Sequence, residues 1–430
     1  MYREFMIKDI ARMIDGTTTL SGRELVRGIS IDSRTTTSAD LFFALKGEHT
    51  DGHLYTGEAL VNGALAAVVE KHTGAAAEIR VSDTLFALGQ LAAKYRSLFT
   101  TKTIAITGTN GKTTVKNLIG AILNRRYNIL VTKKNFNSLI GLPLTLFDLS
   151  GEEDFLVLEM GTSSPGEISR LCEIAQPHFG LITNIGPGHL KGLATIDGVR
   201  QEKLSLIESL PNENFAVVGE GVGDIRNKNV KRFSLDMLED IRLSEFGSHF
   251  TYMGSRFSTP LLGIGNVYNC LTALCFVRNL GAALEDDFSN DALVALAEMK
   301  PEPGRMEPIH YDYLFIINDT YNANPVSMKT AIDFTAVLER KKIFVLGDML
   351  ELGKQSKRLH QEIGRYAKKC CDLLLTYGDE AQYYEGRHFK DKMKLVRFLK
   401  EKLNGDEVIL VKASRALHFE DIVEKLLGGL

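Results

Sequence analysis

Short apolar runs alternate along this chain with longer stretches in which apolar residues recur at helical spacing, the pattern of strands buried in parallel sheets and covered by helices. The run at 104–106 predicts a buried strand, and the residues beyond Lys112 predict a helix over 114–124. Before it, a helix over 7–14, strands at 29–32, 41–44 and 66–69, and a helix over 84–99 make a small α/β unit. After it come strands at 155–158, 179–183 and 215–219, helices over 196–210 and 266–280, and a stretch of β character at 250–262. A proline- and glycine-rich segment at 300–306, KPEPGRM, reads as a hinge. Beyond it, strands at 314–317, 343–346, 373–376 and 408–411 alternate with helices over 356–369, 391–403 and 419–427. The expectation is an α/β protein of three domains. These are a small N-terminal α/β domain over 1–99, a central P-loop-type α/β domain over 100–300 and a Rossmann-like α/β domain over 301–430.

A length of 430 residues suits that division, and 44% hydrophobic with 24% charged residues is ordinary for a globular protein. A net charge of −3 gives no reason to expect nucleic acid or an anionic membrane as partner. The charged start has helical period and does not read as a signal peptide, and no apolar run is expected to reach the roughly 20 residues that span a bilayer. The five cysteines form no CxxC pair and mostly sit in apolar helical surroundings, which favours reduced core thiols. The expectation is a soluble, cytoplasmic monomer.

The chemistry centres on residues 107–114, TGTNGKTT, where a strand runs through a glycine-rich turn into a helix. Gly108 and Gly111 let backbone N–H groups approach phosphate oxygens, and the helix N-terminus favours negative charge. Lys112 would reach the outer phosphates and the Thr113 hydroxyl a magnesium ion. Ile106 stands where the usual pattern has a glycine, so this is a shortened variant of the phosphate loop, and ATP is the expected ligand.

Two further strand ends carry Glu159 and, in NIGPGHL, His189. Ligands gather at the carboxyl ends of parallel strands, so metal ligation is favoured over a helix-end charge and a solvent-facing loop histidine. For Lys203 the residues alone favour a surface lysine paired with a neighbouring glutamate. Asn269 reads as a cap or an adenine contact, and Arg305 as a solvated hinge charge or a phosphate contact. Ser33, Arg34 and Lys46 put hydroxyl and cationic groups on turns, as a diphosphate binder needs, though a solvated surface is the commoner meaning. In the third unit NDTYNANP, GDMLELG and KASR follow predicted strands and point to a second small-molecule face.

The order of these motifs resembles the Mur ligase family, the ATP-dependent amino-acid ligases of peptidoglycan synthesis, over nearly the whole chain. TGTNGKTT is shared with folylpolyglutamate synthases; IDSR with ALKGEHTDGH resembles the family's uridine-diphosphate-binding domain; DTYNANPVSM and GDMLELG resemble the members that add a dipeptide. The resemblance implies ligation of D-alanyl-D-alanine to UDP-N-acetylmuramoyl-tripeptide through an acyl phosphate. It implies ATP contacts from Gly108, Thr109, Asn110, Gly111, Lys112, Thr113, Thr114, Asn266, Asn269, Arg305 and Asp319. It further implies two magnesium ions held by Thr113, Glu159, His189 and Lys203, the lysine carrying a carbamate made from carbon dioxide, which reverses the bland reading of Lys203. Ser33, Arg34, Lys46 and Asn137 fall on the uridine-nucleotide side, and Tyr321, Asn322, Asn324, Lys412, Ser414 and Arg415 on the dipeptide side. Gly265 stands where relatives often have His, Asn318 where Asp is frequent, and RQEKLSL surrounds Lys203 in place of an alanine-rich run. Sister ligases for single amino acids or folate, a non-catalytic nucleotide switch and an inactive scaffold are the alternatives.

Overall fold

The computed structural model describes residues 1–428 except Ser21, Glu48, Lys134 and Asn227, so Glu48 of the ALKGEHTDGH stretch lies outside the described residues. Three parallel-stranded sheets follow one another along the chain. The first has four strands in the order Gly28–Ser30, Asp40–Phe43, Ala66–Val69, Glu78–Arg80. The second has six, in the order Asn229–Arg232, Phe215–Val218, Phe179–Ile182, Lys102–Thr107, Phe155–Glu159, Ile129–Val131, all parallel. The third runs Glu307–Tyr311, Leu314–Asp319, Glu407–Lys412, Lys341–Gly347, Leu373–Tyr377, Arg387–Phe389, with only the first strand antiparallel to its neighbour. The fold is α/β, as expected.

The central strands are apolar throughout because helices cover both faces. Ile104, Ala105, Ile106, Leu156, Val157 and Leu158 have no measurable exposure. The helix after the phosphate loop runs Lys112–Leu123 and packs on Gly263–Leu284, which is longer than expected. That second helix has 22 residues and is apolar enough to span a membrane by length and composition, which corrects the expectation that no such run exists. Its apolar residues, from Val267 to Leu280, are instead spent in the core of the second sheet.

Several elements lie in stretches with no clear sequence period. Leu238–Ser244, Gly247–Tyr252 and Ser255–Thr259 form a separate antiparallel sheet, of which only the last part carried a β signal. The third sheet gains the edge strand Glu307–Tyr311 just beyond the hinge. The helix Pro325–Ala336 begins inside the DTYNANPVSM motif, with Asn324 as N-cap in a capping box with Ser327 and proline at the first turn. All five cysteines are free, and Cys172, Cys270 and Cys275 are buried.

The first sheet's covering helix, Thr84–Arg96, also packs on the second unit. Leu88, Leu91 and Tyr95 share one core with Leu142, Leu146, Phe147 and Leu171. The Tyr95 hydroxyl donates to the Leu149 carbonyl (2.7 Å) and accepts the Tyr2 N–H (3.0 Å). The third unit meets the second through polar contacts, among them Arg340 with Glu245 (3.0 Å), and through Phe334 over Gly263. Tyr95→Phe strands the Leu149 carbonyl and should cost about 1–3 kcal/mol. Urea unfolding should then show a lower midpoint, whereas an unchanged midpoint would remove Tyr95 as a joint between the two units.

Candidate active site

The strand Lys102–Thr107 lies in the middle of its sheet and delivers Gly108–Gly111 to the carboxyl edge. Gly108 has φ +149° and Gly111 φ +81°, both in the region that favours glycine. Space demands glycine as well: a Cβ at Gly108 would strike Thr183 Oγ1, and one at Gly111 would strike Asn269 Oδ1. Asn269 therefore backs the loop; it is not a cap, since its helix starts six residues earlier at Gly263. Its side-chain amide donates to Asn266 Oδ1 (3.0 Å), and Asn266 donates to the Leu262 carbonyl (3.0 Å).

The loop is laced to the next strand end. Thr183 Oγ1 donates to the Asn110 carbonyl (2.5 Å), Asn184 Oδ1 accepts the Asn110 N–H (3.0 Å), and the Thr109 hydroxyl accepts the Gly186 N–H (3.0 Å). Lys112 folds back over the turn, donating to the Gly108 carbonyl (2.9 Å). Burial, and secondarily the charge of Arg305, push its ammonium below the usual lysine range despite Glu159 and Glu351. An anionic phosphate in the loop would relieve both penalties.

Glu159, 3% exposed, accepts the Thr113 hydroxyl (2.8 Å) on one oxygen and the Asn137 amide (2.8 Å) on the other. Arg305 reaches in from the hinge segment, donating to Thr113 Oγ1 (3.0 Å) with its guanidinium stacked on the Tyr321 ring at 3.6 Å. Asn324 spans the same gap, its amide donating to Asn110 Oδ1 (2.7 Å) while its Oδ1 caps the helix Pro325–Ala336. Asp319 pairs with Lys412 (2.5 Å), both largely buried, and accepts the Met306 N–H (3.1 Å).

These residues enclose one cavity of about 660 Å³ between the second and third units. Thr109 to Thr114, Asn137, Glu159 and His189 line it from one side, with Asn266 and Asn269. Arg305, Asp319, Tyr321, Asn322, Asn324 and Lys412 line it from the other. Gly108 lies beneath the turn. Ser414 and Arg415 lie off the cavity: the Ser414 hydroxyl accepts the Leu350 N–H (2.9 Å), and Arg415 pairs with Glu420 (3.1 Å). Ser33, Arg34 and Lys46 are also outside it, in the first unit, engaged with Glu58, Asp32 and Glu70.

Comparison with known proteins identifies this arrangement. The Mur ligase middle domain matches residues 106–277, the Mur ligase glutamate ligase domain 304–415, and the Mur ligase family catalytic domain 25–96. The UDP-N-acetylmuramoyl-tripeptide–D-alanyl-D-alanine ligase of Bacillus subtilis is 36% identical, with 98% of each chain aligned. The chain belongs to the Mur ligase family. The Haemophilus influenzae ligase of the same name is 35% identical over 93% of each chain. Among solved structures, MurF from Acinetobacter baumannii superposes with a TM-score of 0.92 at 28% identity, covering 99% of each chain. MurF ligase from Thermotoga maritima in complex with ADP has a TM-score of 0.85 at 29% identity, covering 94% of this chain and 97% of its own.

In this Mur ligase the departures noted above have local reasons. Gly265 faces Thr330 of the third unit so closely that a Cβ would lie 2.9 Å from its methyl group. Asn318 donates to Glu307 (2.7 Å) on the neighbouring edge strand. Glu202, beside Lys203, turns away from it and accepts the N–H groups of Gly166 and Ile168 (both 2.7 Å) and the Thr162 hydroxyl (3.1 Å). It thereby ties the loop at 161–167, part of the cavity wall, to the helix Ile196–Glu208. Lys203 is 1% exposed and its Nζ has no hydrogen-bond partner among the described residues. Burial first, then Lys112, pushes its pKa well below the lysine value. The surface-lysine reading of Lys203 is thus corrected.

Asn184, Tyr268, Glu202 and Glu351 were not singled out from the sequence. Asn184 opens NIGPGHL and Glu351 belongs to GDMLELG, so motif membership was their available signal. Tyr268, whose hydroxyl donates to the Thr183 carbonyl (3.0 Å) and accepts the Glu220 N–H (2.9 Å), stands between Asn266 and Asn269 in the same stretch. Burial raises its pKa to about 12. Gly111→Ala should weaken nucleotide binding by about fivefold or more, since the strained φ alone costs on the order of 1–3 kcal/mol. Calorimetric titration with ADP checks this, and unaltered affinity would refute the close-packed loop.

Proposed function

We propose that this chain ligates D-alanyl-D-alanine to UDP-N-acetylmuramoyl-tripeptide with cleavage of ATP, giving the pentapeptide precursor of peptidoglycan, ADP and phosphate. The supporting observation is a phosphate loop facing the third unit's strand ends across one cavity, in a chain whose full-length relatives carry that activity in their names. Reaction in the cytoplasm by a monomer is part of the proposal. So is the division of labour: residues 1–99 take the uridine nucleotide through Ser33, Arg34 and Lys46, with Asn137 alongside. Residues 100–300 take ATP, and 301–430 take the dipeptide through Tyr321, Asn322, Asn324 and Lys412.

A carboxylate repels an amine nucleophile, so it must first lose its charge. A carboxylate oxygen of the tripeptide attacks the γ-phosphorus, the bond to the β-bridging oxygen breaks, and ADP leaves. The dipeptide amine then attacks the acyl carbon, the carbon–oxygen bond to phosphate breaks, and the amine's proton leaves with the phosphate. Lys112, Arg305 and the N-terminus of the helix Lys112–Leu123 would face the oxygens that gain charge in the first step. The third unit covers the loop through Arg305 and Asn324, keeping water from the acyl phosphate.

The donor set fits magnesium. Thr113 and Glu159 offer hard oxygens beside the phosphate loop, and no cluster of three His, Cys, Asp or Glu makes an all-protein cage among the described residues. His189 and Lys203 would hold a second ion. Burial of an amine without a partner favours its neutral form, the form that adds carbon dioxide, and a carbamate would set negative charge towards Lys112. When bound, the two ions would neutralise charge on the phosphoryl oxygens.

Phosphate release with ATP, magnesium and UDP-N-acetylmuramoyl-tripeptide should require D-alanyl-D-alanine; turnover with a single amino acid would transfer the chain to a sister activity. Lys112→Ala should lower kcat by about 10²–10³-fold. Lys203→Ala should lose activity and regain part of it with added short-chain carboxylates; no response to them would exclude the carbamate.

A further inference from the structure

The loop at 347–353, GDMLELG, crosses to the second unit and is held rigidly from behind. The buried Asp348 carboxylate accepts the N–H groups of Asp379, Glu380 and Ala381 at 3.1, 3.0 and 2.6 Å. His360 Nε2 accepts the Met349 N–H (3.0 Å), and Ser414 brackets the turn, its hydroxyl accepting from Leu350 and its N–H donating to the Asp348 carbonyl (3.0 Å). Met349 and Leu352 are buried beneath it.

From this platform Glu351 projects into the other unit. It adopts φ +63°, unfavourable for a residue with a Cβ, and its carbonyl accepts the Lys191 N–H (3.0 Å). Its Oε2 lies 2.7 Å from Nδ1 of His189, in direct contact though not aligned as a hydrogen bond. His189 is itself left-handed, at φ +55°. Two uncommon backbone conformations thus face each other across the inter-unit gap, at a residue lining the cavity. The neighbouring imidazole holds the Glu351 carboxyl below the usual range.

We propose that Glu351 is a positioning residue that fixes the His189 ring through Nδ1 and leaves Nε2 as its ligand atom, so that the second metal site is complete only when the third unit is docked. This rests on the reading of His189 as a metal ligand given above. It also assigns Ser414 and Asp348 a task, holding the loop that carries Glu351.

The test counts manganese ions bound to the full chain with a non-hydrolysable ATP analogue, by electron paramagnetic resonance. The wild type should take up two ions per chain. Glu351→Ala should weaken the second by about 10–100-fold and leave the first unchanged, which also serves as the control for folding. Glu351→Gln, which keeps the shape and an acceptor oxygen, should recover part of the loss. His189→Ala should lose the second ion. If His189→Ala loses it while Glu351→Ala binds like wild type, the positioning role is overturned and the metal reading stands. If His189→Ala also keeps two ions, or the wild type binds only one, the metal reading falls and the positioning role with it.

Discussion

The turn at Gly108–Gly111 has no room to spare, and the rest of the molecule is arranged around that fact. Thr183 presses on one glycine and Asn269 on the other, so strand and helix must each arrive in register for the loop to exist. That requirement accounts for the buried, parallel central strands and for the apolar length of Gly263–Leu284, a helix that would otherwise look out of place in a globular protein. Tyr268 extends the same logic by tying that helix to the strand end that carries Thr183.

The second constraint is chemical. An acyl phosphate must form beside the ATP loop yet meet an amine rather than water, which favours a site whose two walls belong to different units. The first and second units share an apolar core at Tyr95; the third meets the cavity wall through polar side chains, Arg305 on Thr113, Asn324 on Asn110 and Glu351 beside His189, and takes Leu262 of the second unit into its own apolar core. Polar contacts of this kind can be made and broken in each turnover at small cost, because water replaces them; an apolar core cannot.

Local signals were legible in the sequence and long-range ones were not. The strand–turn–helix around Lys112 is contiguous, so period and glycine spacing reveal it, and the strands at 66–69 and 155–158 read directly from their apolar runs. The strand Glu307–Tyr311 escaped because an edge strand is half exposed and lacks an apolar run. The helix Pro325–Ala336 was hidden by a motif that reads as a loop until Asn324, within it, becomes the cap. At the site, Lys203 shows the limit most clearly. On a helix with Glu202 beside it, it resembles an exposed ion pair, but Glu202 is committed to the Gly166 and Ile168 N–H groups and Lys203 is enclosed by distant parts of the chain. Only tertiary structure distinguishes the two.

The most direct measurement follows the oxygen atoms. UDP-N-acetylmuramoyl-tripeptide labelled with heavy oxygen in its terminal carboxylate is turned over with ATP and D-alanyl-D-alanine, and the released phosphate is analysed by mass spectrometry. Passage through an acyl phosphate moves one labelled oxygen from each carboxylate into phosphate. Unlabelled phosphate, released alongside amide formation, would contradict activation of the carboxylate at the phosphate loop.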